Sequence, residues 1–438
     1  MRIHRQPARR IQNSEFRIQD SQVHRRRGSI YVAVLGSSML VTVVGLSALM
    51  ATRIERRGAQ DAGDLAKARF HARTGIEMGL FRIGADANWR ANRTNGLWET
   101  GKPVGTGSYT LSGVDPGDGD LNDDEREPLR LQGDGLEGEA RFALQVTLNA
   151  TATPLSCLEV SVHASDIVIS EPATVIGDQI ISANDDIVAV GVVVVTPDME
   201  AVGGFGGALG PGSTTSGVPP RALPNPGNAF AYYLTHGTPI SIGSIGLRVG
   251  VPTIYRELLS PTNNPYGGGT NAEGIYIIDC QSQRLDIEDS RIFGTLVVMN
   301  HDGNSVIRGS VHLQPAVPNY PALMVAGSYN LQMSASALSE ATTGINFNPV
   351  GTPYLGFDDA ALDDTYPSAI KGIVYVTGAL ATSNDVTLDG VLIVGNTLSV
   401  TGNLNLTYRS VFLNDPPPGF IDTVQMVVVP GSWQQVIN

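Results

Sequence analysis

Asp118, Asp120, Asn122 and Asp124 alternate along the acidic stretch DPGDGDLNDDEREP (115–128). Oxygen-bearing side chains at every second position suit a hard cation such as calcium, which takes several oxygens on a tightly curved backbone. The match to a calcium loop stops at two places. The sixth position is Asp123 instead of Gly, and the twelfth is Leu129 where a bidentate Glu is needed. A solvated acidic turn is the plainer reading of the same residues. The pairs Asp358/Asp359, Asp363/Asp364 and Asp286/Asp289 would suit a polysaccharide-cleaving enzyme only if they converge on one face. Histidines 4, 24, 71, 163, 236, 301 and 312 are scattered, without an HExxH or a Cys/His cluster. GFGGALG (204–210) has the wrong spacing for a dinucleotide loop, and a Gly/Pro-rich stretch follows it instead of a helix. No catalytic residue and no cofactor is assigned, calcium being the one metal considered. Cys157 and Cys280 sit in strand-like stretches and read either as buried free thiols or as one long-range disulfide.

The elements that must carry these residues are mostly strands. Charged residues are 16% of the chain, with 50 Gly and 26 Pro, which suits short strands and turns better than long helices. Residues 1–100 hold 17 Lys+Arg against 8 Asp+Glu, whereas 101–438 hold 12 against 34. An acidic body argues against a nucleic-acid partner, because phosphate binding needs a positive footprint. Three stretches resemble one another: IVISEPATVIGDQIIS (167–182), LDIEDSRIFGTLVVMN (285–300) and VTLDGVLIVGNTLSV (386–400). Each opens apolar-x-apolar and carries a Gly in a second apolar patch. A parallel β-helix is favoured, with a β-sandwich as the alternative. Residues 197–228, rich in Gly, Pro, Ser and Thr, read as an inserted mobile loop, and 334–369 as a second, irregular insertion.

Ser29–Thr52 has no ionisable side chain except Tyr31. Its 24 residues make about 36 Å of helix, enough to cross a hydrocarbon core of about 30 Å. Arginines 25–27 precede it and Arg53, Arg56 and Arg57 follow it. Further arginines at 2, 5, 9 and 10 tilt the charge balance toward a cytoplasmic N-terminus, with the body periplasmic or extracellular. Ser38, Thr42, Gly45, Ala48 and Thr52 fall on one stripe where another helix can approach closely.

Arg26-Arg27-Gly28 running straight into an apolar helix resembles the processing site of type IV pilin-like proteins. The likeness is greatest to PilX-type minor pilins and the large minor pseudopilin of type II secretion. The segment AKARFHARTGIEMGLFRI (66–83) adds to it, with Ala68, Ala72, Gly75, Glu77 and Gly79 in the places that family favours. The resemblance implies cleavage between Gly28 and Ser29. Ala33 stands where major pilins have Glu, which puts incorporation into a filament shaft in question. NAEGIYIIDC, NFNPVGTPY and PPPGF also resemble phrases in large envelope proteins of planctomycete-type bacteria.

The expected organisation is a basic leader (1–28), a membrane helix (29–52), and a pilin-like helix, acidic loop and hairpin (53–155). A β-rich body (156–415) follows, then a Pro-rich segment with a C-terminal strand (416–438). The resemblance implies a non-enzymatic envelope protein that partners other pilin-like or secretion-system subunits and displays a surface for adhesion or scaffolding, with extracellular polysaccharide among its possible ligands. The alternative is a membrane-tethered carbohydrate-active β-helix enzyme.

Overall fold

No proline interrupts the chain between Ser29 and Ala85. The computed structural model, which describes residues 29–86, 88–122 and 126–437, has a single helix there, α1 (Ser29–Ala85). Its 57 residues span about 85 Å. The N-terminal part is long and apolar enough to cross a membrane, and residues 30–63 are exposed. Farther along, Ala68, Ala72, Ile76 and Ile83 turn one face inward.

That face lies on an antiparallel sheet of β1 (Gly96–Val104), β2 (Gly107–Val114), β3 (Leu129–Glu137) and β4 (Ala140–Pro154), in that order. Alternation in β3 directs Leu129, Leu131, Gly133, Gly135 and Glu137 to the buried side. Ile76, Leu111, Leu129, Leu131, Val146 and Leu148 form the core of this head module. At its centre backbone meets backbone. A Cβ on Gly133 would lie 2.1 Å from the Ala72 carbonyl oxygen, and one on Gly135 1.9 Å from that of Ala68. The C-terminal segment belongs to the same sheet: Ile421–Val428 and Gln434–Val436 both pair antiparallel with β4. The expected terminal strand is thus two strands that return to the head. Long-range pairing with β4 decides this, and the local sequence does not record it.

Between β4 and Ile421 the chain builds a mainly β body with three parallel ladders. One ladder aligns Thr215, Glu200, Ser182, His163, Ile393, Tyr375, Met324, Val297, Ile277 and Pro239. Spatial order and chain order differ. The chain enters at Val162, runs to one end at Ser216, crosses to the other end, and returns from Thr238 to finish beside its entry, where Val162–Ile169 pairs with Leu392–Val400. The crossing passes nine strand spacings, about 43 Å. It includes the helix Pro226–His236. Asn225 caps that helix by accepting from the Gly227 and Asn228 amides, and Pro226 opens it.

Val, Ile and Leu on the inward side of the ladders fill one core. Outward-facing Val297, Met324, Tyr375 and Ile393 join a second core with Ala229, Phe230 and Tyr233 of the crossing helix. Burying each such large side chain contributes about 1.5–3 kcal/mol.

Residues 197–228, expected as a mobile loop, contain the strands Met199–Ala201, Phe205–Ala208 and Thr214–Ser216, paired in the ladders. Glycine here serves close stacking: a Cβ on Gly212 would lie 1.9 Å from the Pro197 carbonyl oxygen. The insertion 334–369 is clamped by buried charges. Arg291 donates to the carbonyls of Phe347, Thr352 (3.2 Å) and Pro353 (2.9 Å). Glu340 accepts from the Phe347 amide (2.6 Å) and the Tyr366 hydroxyl (2.9 Å).

The seam between α1 and β3 makes a direct prediction. Gly135→Ala drives a methyl into the Ala68 carbonyl and costs about 1–3 kcal/mol. Gly84→Ala, whose Cβ meets nothing within 4 Å, changes stability by less than about 1 kcal/mol. Thermal unfolding of the full-length chain in detergent compares the two, and equal melting temperatures would remove the seam from its central place.

Candidate functional site

Three features of the head module stand out: the exposed half of α1, a charged cluster beneath its second half, and the acidic loop between β2 and β3. Ser38, Thr42, Gly45, Ala48 and Thr52 all lie on the exposed half. The hydroxyls of Ser38, Thr42 and Thr52 donate to carbonyls of their own helix, those of Leu35, Ser38 and Ala48, at 2.7–2.9 Å. Satisfied in this way, they leave a low stripe compatible with an apolar neighbour. Ser29 begins the helix, and Gly28 lies outside the described residues.

Where α1 passes β3, Glu137 is 6% exposed. It accepts from Thr106 Oγ1 (2.6 Å) and Lys67 Nζ (3.1 Å), and lies 3.1 Å from His71 Nε2. These hydrogen bonds, Thr106 foremost and then Lys67, hold its carboxyl down to about 2. Arg82 pairs with Glu99, which also accepts from the Tyr109 hydroxyl at 2.7 Å. Two carboxylates of the sheet therefore grip α1 on either side of the glycine seam. Glu137 had been hidden in the Gly-rich stretch GDGLEGEA, where only its alternation with Leu129 and Leu131 marks it as inward-facing.

In the acidic loop the described residues of the alternating set lie in local turns. Asp118 Oδ1 accepts from the Asp120 amide (2.9 Å) and Asp120 Oδ1 from the Asn122 amide (3.0 Å), so both carboxylates serve local turns. Asp124 lies outside the described residues. Asp118 instead meets Asp115 and Glu127, from the two ends of the loop, with one oxygen of each within 4.8 Å of the others. Leu121, 2% exposed, anchors the loop in the head core. Arg90 braces it by donating to the carbonyls of Leu121 (3.3 Å) and Glu127. Asp115 and Glu127 escape a search for alternating ligands because the chain must fold back to bring them together.

Five of the six paired acids of the body, all but Asp363, are held in structural contacts. Asp286, 1% exposed, pairs with Arg284 (2.7 Å) and Arg308 (3.2 Å). Asp289 accepts from the Ser310 amide, Asp358 from the Gly351 amide and Asp359 from the Ala361 amide. Asp364 accepts from Asn348 Nδ2 at 2.8 Å. Cys157 and Cys280 are free, buried thiols in different cores, each pushed up to about 12 by burial. Burial also lowers His163 and His312 to about 4 each.

No family model matches the chain. No curated relative matches it either. Among solved structures, the competence-associated pilin ComZ from Thermus thermophilus aligns over 85% of this chain and 98% of its own, at 11% identity and a TM-score of 0.31. A likeness at that score carries no weight for fold or function.

These titrations predict acid lability in two stages. His163 and His312 have folded pKa values below the unfolded value of about 6.5. Their contribution is therefore complete above that pH and lost on descent toward about 4. Glu137 is also depressed, so its contribution is complete above about 4.5 and lost on descent toward about 2. Melting temperature measured from pH 7 to pH 2 should fall in both windows. Glu137→Gln should flatten only the lower one, and an unchanged lower limb would show that the cluster does not couple to folding.

Proposed function

We propose that this chain is a non-enzymatic, minor-pilin-like subunit, of the PilX or large minor-pseudopilin kind, that carries its body as a display surface. The observation that carries the reading is the construction of α1. Its exposed apolar part continues without a break into a helix whose alanines and glycines are pressed onto an antiparallel sheet. A continuous helix of this kind anchors a subunit in the membrane and offers a small-residue stripe to neighbouring subunits of a type IV pilus or type II secretion-like assembly. The Arg26-Arg27-Gly28 motif supports processing before Ser29, with the N-terminus cytoplasmic and the body on the other side of the cytoplasmic membrane.

The body reads best as a parallel β-helix inserted into the head sheet. Support comes from the parallel pairing of strands 18–20 residues apart, such as His163 with Ser182 and Tyr375 with Ile393. Its elongated faces suit adhesion or scaffolding, with extracellular polysaccharide or another surface ligand as the partner class.

Mass spectrometry of membrane extracts from the native host tests the processing step. A mature chain starting at Ser29, with a methylated amine, is the expected result. A chain retaining Met1 would overturn the pilin-like reading and leave an uncleaved anchor.

A further inference from the structure

We propose that a cleft beside Lys371 on the body binds an acidic glycan, holding the carboxylate of a uronic-acid residue on the Lys371 ammonium and the sugar ring against neighbouring apolar side chains. The inference deepens the reading of the body as a display surface by naming its ligand class, and its test is separate from the N-terminal processing that decides that reading. Four half-buried residues, Phe293, Gln314, Lys371 and Asp389, form a row on successive parallel strands and line the cleft. Phe293 pairs with Gln314 and Lys371 with Asp389, while the pairing of Leu313 with Ile370 brings Gln314 beside Lys371. Pro318 and Val411 stand at its rim, and its volume is about 380 Å³.

The charges lining this cleft do not balance. Asp389 gives both carboxylate oxygens to Arg409, with Nη2 at 2.5 Å from Oδ2. Lys371 is left over. Among the described residues it has no hydrogen-bond or ion-pair partner, and its ammonium lies 5.8 Å from the centre of the Tyr354 ring. Burial lowers its pKa; Asp389 opposes this, and Arg409 and Arg291 add to it. A half-buried cation without a partner is costly, and an anion seated in the cleft removes that cost. The surplus is positive in a region, residues 101–438, that carries 12 Lys+Arg against 34 Asp+Glu.

The row also sets the form of the ligand. Neighbouring strands place its members about 4.8 Å apart, a step close to the length of one pyranose residue in a chain. An extended peptide repeats its same-face side chains about every 6.6 Å and falls out of step. The lining has the mixed character that sugars need. Lys371 donates, the Gln314 amide can donate and accept, and Phe293, Pro318 and Val411 offer apolar surface to the C–H face of a ring. One ammonium matches the single charge of a uronate carboxylate. Asp389 is the one acid lining the cleft and is tied to Arg409, so the cleft is built to hold a glycan and lacks the pair of carboxylates that hydrolysis uses.

Calorimetry on the full-length chain in detergent tests this, with tetragalacturonate and tetramannuronate as probes. At least one should bind saturably, with a dissociation constant of about 1 mM or below, and its methyl ester about tenfold more weakly. Lys371→Gln should weaken binding about tenfold, and Val411→Asp at least about threefold, by repelling the carboxylate. Lys102→Gln, exposed in the head, should change it less than about twofold. Val411 is 38% exposed, so its variant reports on the cleft even if the Lys371 variant fails to fold. Absence of saturable binding by both probes at about 10 mM would overturn the proposal. Equal binding of the methyl ester would overturn it too, and tetraglutamate binding as tightly as the better uronate would do so in favour of an acidic peptide. Each of these failures leaves the pilin-like reading to be decided by the mature N-terminus.

Discussion

Direct contact between the backbone of α1 and that of β3 is the constraint on which the rest of the head depends. Side chains normally hold the backbone of a helix away from that of a sheet. Here Gly133 and Gly135 remove that spacing, and the carbonyls of Ala72 and Ala68 occupy the room where their Cβ atoms would be. Gly75 and Gly79 on the helix allow the same intimacy with Tyr109, Leu111 and Leu131. Such a seam tolerates neither rotation nor sliding of the helix. The charged contacts at Glu137 and Glu99 then flank a position already set by shape.

Rigidity at the seam has consequences in both directions along the chain. Toward the N-terminus, α1 leaves the sheet as one continuous helix, so its apolar part is presented at a fixed angle to the head. Toward the C-terminus, β4 pairs along one edge with β3 and along the other with Ile421–Val428 and Gln434–Val436. The body is thus spliced into the sheet, entering after Pro154 and leaving before Ile421. Its own stack closes where Val162–Ile169 meets Leu392–Val400. The entry and exit are neighbours in the middle of the stack, and two crossings tie the head to the body. The head sheet cannot be completed until the chain has made the whole body.

The crossing segment explains a further economy of the fold. A body assembled from two runs of chain needs a connection between its opposite ends. The segment 217–237 provides it, and also covers outward apolar residues such as Met324 and Tyr375 that would otherwise face water. Arg221, on that segment, pairs with Glu200 and Glu159 and donates to the Ser156 carbonyl at 2.8 Å, fastening the crossing to the start of the body.

The sequence by itself determined what depends on neighbouring residues. An uncharged run of 24 residues specifies a membrane-length helix, because length and apolarity alone set that property. Short β-prone runs between glycines specify a mainly β body. Tertiary structure decided what depends on residues far apart. The glycines of 197–228 look like loop in one dimension and become stacking positions only when Pro197 lies against Gly212. The return of Ile421–Val428 to β4, and the joining of Val162–Ile169 to Leu392–Val400, rest on pairings across more than 200 residues. The acidic loop shows the same division. Its composition suits a cation or a solvated turn, but only the fold-back of the chain gathers Asp115, Asp118 and Glu127 while Asp118 and Asp120 accept from local amides, because convergence of side chains is a property of three dimensions.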